Sequence, residues 1–320
     1  MVDQIPTAQV PYSADSLRPR TAPRVLAALI AVLGIVVVYA VWSVFVNTAR
    51  GQTLDDMALG GSSHGQATLW PMAQRILEVA PVVLVVVGIA IAVGVPAFRR
   101  RWLLMGQLIV FLIGANVTTQ VLKDGVFDRP ELISGWTGSN SLPSGHTTVA
   151  ASAAVALMFA LPRRWRPLLA IVGMVWAGAT GISTMVGGWH RPSDVVAAMF
   201  VVLAWGALIC ALTSRRALDT PDLLPTIKVT QSTTAVATLA YAIAGITGGL
   251  SVITAWDLEA GQQDIPLAYD LTAYASGVLA VMAATLTVFA TLLLLRQYTA
   301  RALEAPGGYP LSPTMKGVTT

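Results

Sequence analysis

Most of the chemically versatile side chains of this chain fall between residues 123 and 194, in three short polar pieces. The first reads Lys123-Asp124-Gly125-Val126-Phe127-Asp128-Arg129-Pro130. The second reads Pro143-Ser144-Gly145-His146. The third runs from Ser183 to Asp194 and closes on Trp189-His190-Arg191-Pro192-Ser193-Asp194. Ser144 and Gly145 stand where an apolar run begins. Unpaired backbone N–H groups and the dipole at a helix start make an oxyanion cradle, and Gly145 lets a ligand come close to the backbone. Lys123 and Arg129 add a point charge and a fork of donors from a neighbouring loop. Pro192 sits where another helix can start, which puts Asp194 in its first turn, within reach of His190. A carboxylate bound to one ring nitrogen fixes the tautomer and leaves the other nitrogen free to attack. His146 supplies a second imidazole, able to protonate a leaving oxygen.

These pieces need elements that bring them together, and composition says which. Apolar residues make up 55% of the chain and charged residues 11%, against about 25% charged in ordinary soluble domains. Such a chain belongs in a bilayer. Eight stretches approach the roughly 20 apolar residues a spanning helix needs: 25–47, 76–97, 102–122, 146–162, 167–188, 194–213, 234–256 and 269–295. The reading is an all-α membrane protein of about eight transmembrane helices. Residues 1–24 and 296–320, rich in proline and polar groups, read as disordered cytoplasmic tails. With the N-terminus in the cytoplasm, 15 of the 20 basic residues fall on the cytoplasmic side, as the positive-inside bias requires. The outer segments are then 48–75, 123–145, 189–193 and 257–268. All three polar pieces land on that outer face. The net charge of +4 reflects this orientation and not a nucleic-acid partner. Cys210 is the single cysteine, so there is no disulfide framework, and it reads as a buried filler.

Lys-x5-Arg-Pro, Pro-Ser-Gly-His and Ser-x6-His-x3-Asp, in this order on one face, resemble the three motifs of the type 2 phosphatidic acid phosphatase (PAP2) superfamily, the lipid phosphate phosphatases. The motifs span 123–194. The resemblance implies a six-helix core over 25–213; the cytoplasmic linker and the two further transmembrane helices over 214–295 lie outside it. It implies that His190 is the nucleophile that becomes phosphohistidine, that Asp194 orients it, and that His146 is the general acid. Lys123, Arg129, Ser144 and Gly145 bind the phosphate, and no metal or other cofactor is called for. Two departures stand out. Five residues, not six, separate Lys123 from Arg129-Pro130, and Thr184 stands where the family has Arg after the motif serine. Arg191 is the candidate to replace that charge.

Blander roles exist for the same residues. Lys123 and Arg129 can anchor helix ends by snorkelling, and the histidines can be interfacial residues bound to water. His64, Asp55 and Asp56 read as exposed residues of the long outer loop, with metal binding unsupported by their spacing. Trp70, Trp136, Trp189 and Trp256 fit an interfacial aromatic belt, and Gly245 with Gly249 fits close helix packing. The reading carried forward is a membrane lipid phosphatase with an extracytoplasmic site. It hydrolyses a phosphomonoester or pyrophosphate of a polyprenyl or glycerolipid. The alternatives are a lipid phosphotransferase with a non-water acceptor and an inactive lipid-binding scaffold. Membrane lipids are the expected partners, and the oligomeric state is open.

Overall fold

A computed structural model of the chain describes residues 19–78, 80–133, 140–214, 217–219, 226–259 and 266–301. These residues are helical and contain no strand. The helices are α1 (Thr21–Val41), α2 (Ala49–Glu78), α3 (Ala80–Phe98), α4 (Trp102–Val121), α5 (Gly145–Ala160), α6 (Arg166–Val186), α7 (Pro192–Ala211), α8 (Thr226–Glu259) and α9 (Pro266–Thr299). Six helical segments are long and apolar enough to cross a membrane, and two shorter apolar helices, Val85–Phe98 and Gly145–Ala160, complete the expected eight. Leu29, Val32, Ile35 and Val36 of α1 and Val110, Ile113 and Val117 of α4 are exposed. That much apolar surface on the outside suits lipid and not water.

Helix α5 is short and largely enclosed by protein. α5 reads Gly-His-Thr-Thr-Val-Ala-Ala-Ser-Ala-Ala-Val-Ala-Leu-Met-Phe-Ala, and 11 of its 16 residues are buried. Its small side chains let α3, α4, α6 and α7 close around it. At about 1.5 Å per residue it spans only ~24 Å, less than a bilayer core. Because protein surrounds it, it has no need to reach both membrane surfaces.

Three expectations change. Residues 48–75 form helix α2 and not a loop. Hydropathy marks spanning runs, and α2 is too polar to register as one. It is built against α9 instead. A Cβ on Gly61 would lie 2.1 Å from the Asp270 carbonyl oxygen, and Ala58 packs with Leu258 and Ala273. Second, α9 runs past its expected end and packs into the bundle. Val281, Val288, Phe289, Leu292 and Leu293 of α9 are fully buried, and Phe289 fills the space left by Gly173 of α6. Helix α9 continues to Thr299, four residues past the expected span, because Arg296 is buried. Third, Gly245 and Gly249 meet nothing within 4 Å. The face of α8 that packs on α9 carries Gly248, whose Cβ position is 3.5 Å from Ala283. Helix α1 begins at Thr21, inside the stretch read as a tail. Residues 1–18, 302–320 and Trp136 lie outside the described residues, as does the side chain of His64. Cys210 is buried, as expected.

A Cβ added at Gly173 would sit 2.4 Å from the Phe289 ring. Gly173→Leu should therefore cost about 1–3 kcal/mol by overpacking. A lowered melting temperature in detergent, compared with Gly245→Leu as the unpacked control, measures it.

Candidate functional site

The three motif pieces meet at one end of the helix bundle. Ser144 is the N-cap of α5, and its Oγ accepts a 3.4 Å hydrogen bond from the Thr147 N–H. Its own N–H donates to the Asp194 carbonyl at 2.9 Å. That one backbone bond sets the start of α5 against the start of α7. Gly145 follows with open space on one side and the Gln120 amide nitrogen 3.3 Å from its Cβ position. Any larger residue would press on the Gln120 amide at the start of α5.

The third piece is a tight turn between α6 and α7. Gly188 takes φ +69, a left-handed backbone that favours glycine. The N–H groups of Trp189 and His190 both donate to the Thr184 carbonyl, at 3.0 and 3.3 Å. Thr184 itself is buried, and its hydroxyl donates to the Gly181 carbonyl at 2.7 Å. It completes the helix end and brings no charge. Asp194 lies in the first turn of α7, fully buried. Its Oδ2 is 3.2 Å from His190 Nδ1. The same oxygen accepts from Ser141 Oγ at 2.7 Å and from the Arg191 N–H at 3.0 Å. With Nδ1 committed to the carboxylate, Nε2 is the nitrogen available for attack. The His146 ring centroid lies 6.2 Å from that of His190, and the Trp189 ring lies 5.5 Å from His146. Trp70 meets Trp189 edge-on at 5.6 Å, so these two belt candidates border the histidine pair. Trp256 is exposed and far along α8.

The first piece is held by clamps that lie outside the motifs. α4 ends in a wide turn, Leu122–Val126, that contains Lys123. The amide nitrogen of Asn140 lies 3.1, 2.9 and 3.1 Å from the carbonyl oxygens of Lys123, Phe127 and Leu142. Trp42 stacks on Phe127 at 5.0 Å and donates from its ring nitrogen to the Asp128 carbonyl. Gln52 of α2, fully buried, donates to the Pro130 carbonyl at 2.7 Å.

Helix α2 also brings two carboxylates. Asp55, 2% exposed, accepts from the Ser193 hydroxyl in a very short hydrogen bond and from the Ser193 N–H. Asp56 Oδ1 accepts from Arg191 Nε at 3.2 Å and Nη2 at 2.8 Å. Arg129 shares this field with Arg191, Asp55, Asp56 and Asp194, and burial moves its pKa downward. The sequence-predicted residues Lys123, Arg129, Ser144, Gly145, His146, His190, Arg191 and Asp194 therefore gather at this end of the bundle. Asp55, Asp56, Gln52, Asn140 and Ser141 join them. Asp55 and Asp56 were read as loop residues, and only the helical fold of α2 carries them to the site. For Asn140 and Ser141 the one available signal was their place just before Pro143.

Residues 104–218 match the family model described as PAP2 superfamily. That stretch contains Lys123, Arg129, Ser144, His146, His190 and Asp194. No curated protein and no solved structure matches the chain. The described residues are all-α, with six helices long and apolar enough to cross a membrane, and residues 104–218 are similar to the PAP2 superfamily. The matched stretch runs from α4 through the end of α7.

Burial, and next the Asp194 charge, push the Asp55 carboxyl up from 3.8 to about 7, against the pull of Ser193, Arg129 and Arg191. In the unfolded chain it ionises near its ordinary value. Folding thus takes up a proton between these two values. The resulting stability is complete below 3.8 and is lost as pH rises through about 7. Relative to Asp55→Asn, the wild-type melting temperature should fall by several degrees between about pH 5 and pH 8. Parallel thermal scans of the two proteins across that range test it.

Proposed function

We propose that this chain is a lipid phosphate phosphatase that works through a phosphohistidine on His190. The observation that carries the reading is the His190–Asp194 couple, with the His146 ring centroid only 6.2 Å from that of His190. Both rings lie at one bundle end beside Lys123, Arg129 and the start of α5. In the first displacement, His190 Nε2 attacks phosphorus, the bond from phosphorus to the leaving oxygen breaks, and His146 gives that oxygen its proton. In the second, His146 takes a proton from water, the water oxygen attacks phosphorus, and the P–N bond breaks to release phosphate. Asp194 stabilises the imidazolium character of His190 throughout. Lys123, Arg129, Ser144 and Gly145 spread the charge of the equatorial oxygens. Arg191 supplies the charge that Thr184 lacks, exchanging its contact with Asp56 for phosphate.

A lipid substrate is supported by an apolar groove of about 630 Å³ between α1, α4 and α7. Its lining runs from Ala28 and Val32 through Ile35, Val38 and Tyr39 to Leu122 and Phe127, next to Lys123 and Asp128. An acyl or prenyl chain in this groove would put its phosphate at the motif loops. A polyprenyl phosphate or pyrophosphate is the first choice, and phosphatidic acid or phosphatidylglycerol phosphate the second. The positive-inside bias of the sequence supports an extracytoplasmic site.

Purified protein assayed for phosphate release on a panel of lipid phosphates tests the reading. His190→Ala should lose at least about 10³-fold in kcat; full activity in that variant rules out the phosphohistidine route. Transfer of label to an added alcohol instead of water would identify a phosphotransferase. Arg191→Ala should raise KM, and unchanged kinetics exclude its role. Ile35→Trp, which fills the groove on its lipid side, should weaken use of a long-chain substrate about tenfold and leave a short soluble phosphate ester unaffected.

A further inference from the structure

The opposite end of the bundle holds a second concentration of charge. Arg166, the first residue of α6, is fully buried and binds Asp219 through two parallel 2.8 Å hydrogen bonds. Arg101, before α4, lies 3.8 Å from the same carboxylate and donates to the Ala217 and Leu218 carbonyls at 3.0 and 2.8 Å. Arg163 reaches it at 4.0 Å. Arg296 of α9, also fully buried, has Nη2 3.9 Å from Asp219 Oδ1 and its guanidinium 5.6 Å over the Phe159 ring. Its Nε, Nη1 and Nη2 make no hydrogen bond among the described residues. Next to it Gln297 is 1% exposed, and neither of its amide atoms is hydrogen-bonded among the described residues.

Arg101, Arg166 and Arg296 thus converge on a single carboxylate whose two oxygens are already taken by Arg166. A guanidinium withdrawn from water without a matched acceptor is costly. An aromatic face returns only a small part of that. What fits the uncommitted Arg296 fork beside this occupied carboxylate is a second oxyanion with several acceptor atoms, the geometry that arginine recognises in phosphate. The catalytic phosphate cannot serve. Helix α6 alone separates Arg166 from the turn that carries His190, about 30 Å at 1.5 Å per residue. We propose that this cluster is a second phosphate site, separate from the histidine site. It binds a phosphate group carried on a membrane phospholipid headgroup or free in solution, with Arg296 as its principal fork. The site joins α4, α6, the 217–219 segment and α9, since Asp219 N–H also donates to the Ala300 carbonyl at 3.0 Å. Its occupancy would therefore stabilise the bundle.

The test compares wild type with Arg296→Met, both delipidated in neutral detergent. Each is titrated with inorganic phosphate, and separately with micelles doped with phosphatidylglycerol or with phosphatidylcholine, while the melting temperature is followed. Phosphate bound at the histidines shifts both proteins alike, so the difference isolates the arginine site. A rise of several degrees in wild type that is lost in the variant is the expected result. If inorganic phosphate gives it, the ligand is the free anion. If only phosphatidylglycerol gives it, the ligand is a lipid headgroup. Native mass spectrometry should then show phosphatidylglycerol retained by wild type alone. If Arg296→Met does not fold, Arg296→Lys, which keeps the charge and loses the fork, should bind about tenfold more weakly. No shift with either probe, or equal shifts in wild type and variant, overturns the proposal.

Discussion

A single buried carboxylate sets the geometry of the histidine site. Asp194 is removed from water, and a charge in that position has to be met by donors. One of its oxygens receives three: Ser141, the Arg191 N–H and His190. Those donors come from the loop before α5, the turn before α7 and the His190 ring. The Asp194 carbonyl adds the Ser144 N–H. The second and third motifs are thus assembled around one residue. The first motif is fastened separately, by Asn140, Trp42 and Gln52, which hold backbone carbonyls and leave Lys123 and Arg129 on side chains that project from a fixed loop.

Helix α2 changes how the site is supplied with charge. Without it, Arg191 and Arg129 would lie next to each other with Asp194 as their nearest counter-charge. Asp55 and Asp56 temper that repulsion, and Asp55 sits high enough in pKa that its own charge responds near neutral pH. On the proposed reading, a phosphate arriving at Arg191 would displace Asp56 from it. The other end of the bundle follows a related logic with the signs less evenly matched, since several guanidiniums gather around Asp219.

Much of this was legible in the residues. Long apolar runs gave the spanning helices because the bilayer leaves no other way to satisfy backbone polar groups. The Ser144-Gly145 and Pro192-x-Asp194 patterns located two helix starts because caps and prolines act within a few residues. The i, i+4 spacing of His190 and Asp194 placed them in contact for the same local reason. Three things escaped. Helix α2 has no apolar run to announce it. The small-residue pair Gly245 and Gly249 looked like a packing face, but the partner helix chose Gly248. The burial of α9 depended on the shape of the groove presented by α6 and α7, which no local pattern encodes.

The chain's own order of residues determined the class of fold, the helix ends that carry the motifs and the His–Asp couple. Each of these is decided by a solvent or by neighbours within one helical turn. Tertiary structure alone decided that the two imidazoles lie 6.2 Å apart, that Asp56 engages Arg191, and that Arg166 and Arg296 share Asp219. Those are contacts between residues tens to more than a hundred positions apart. Their partners are chosen by helix packing, and packing is settled only when every helix has found its place.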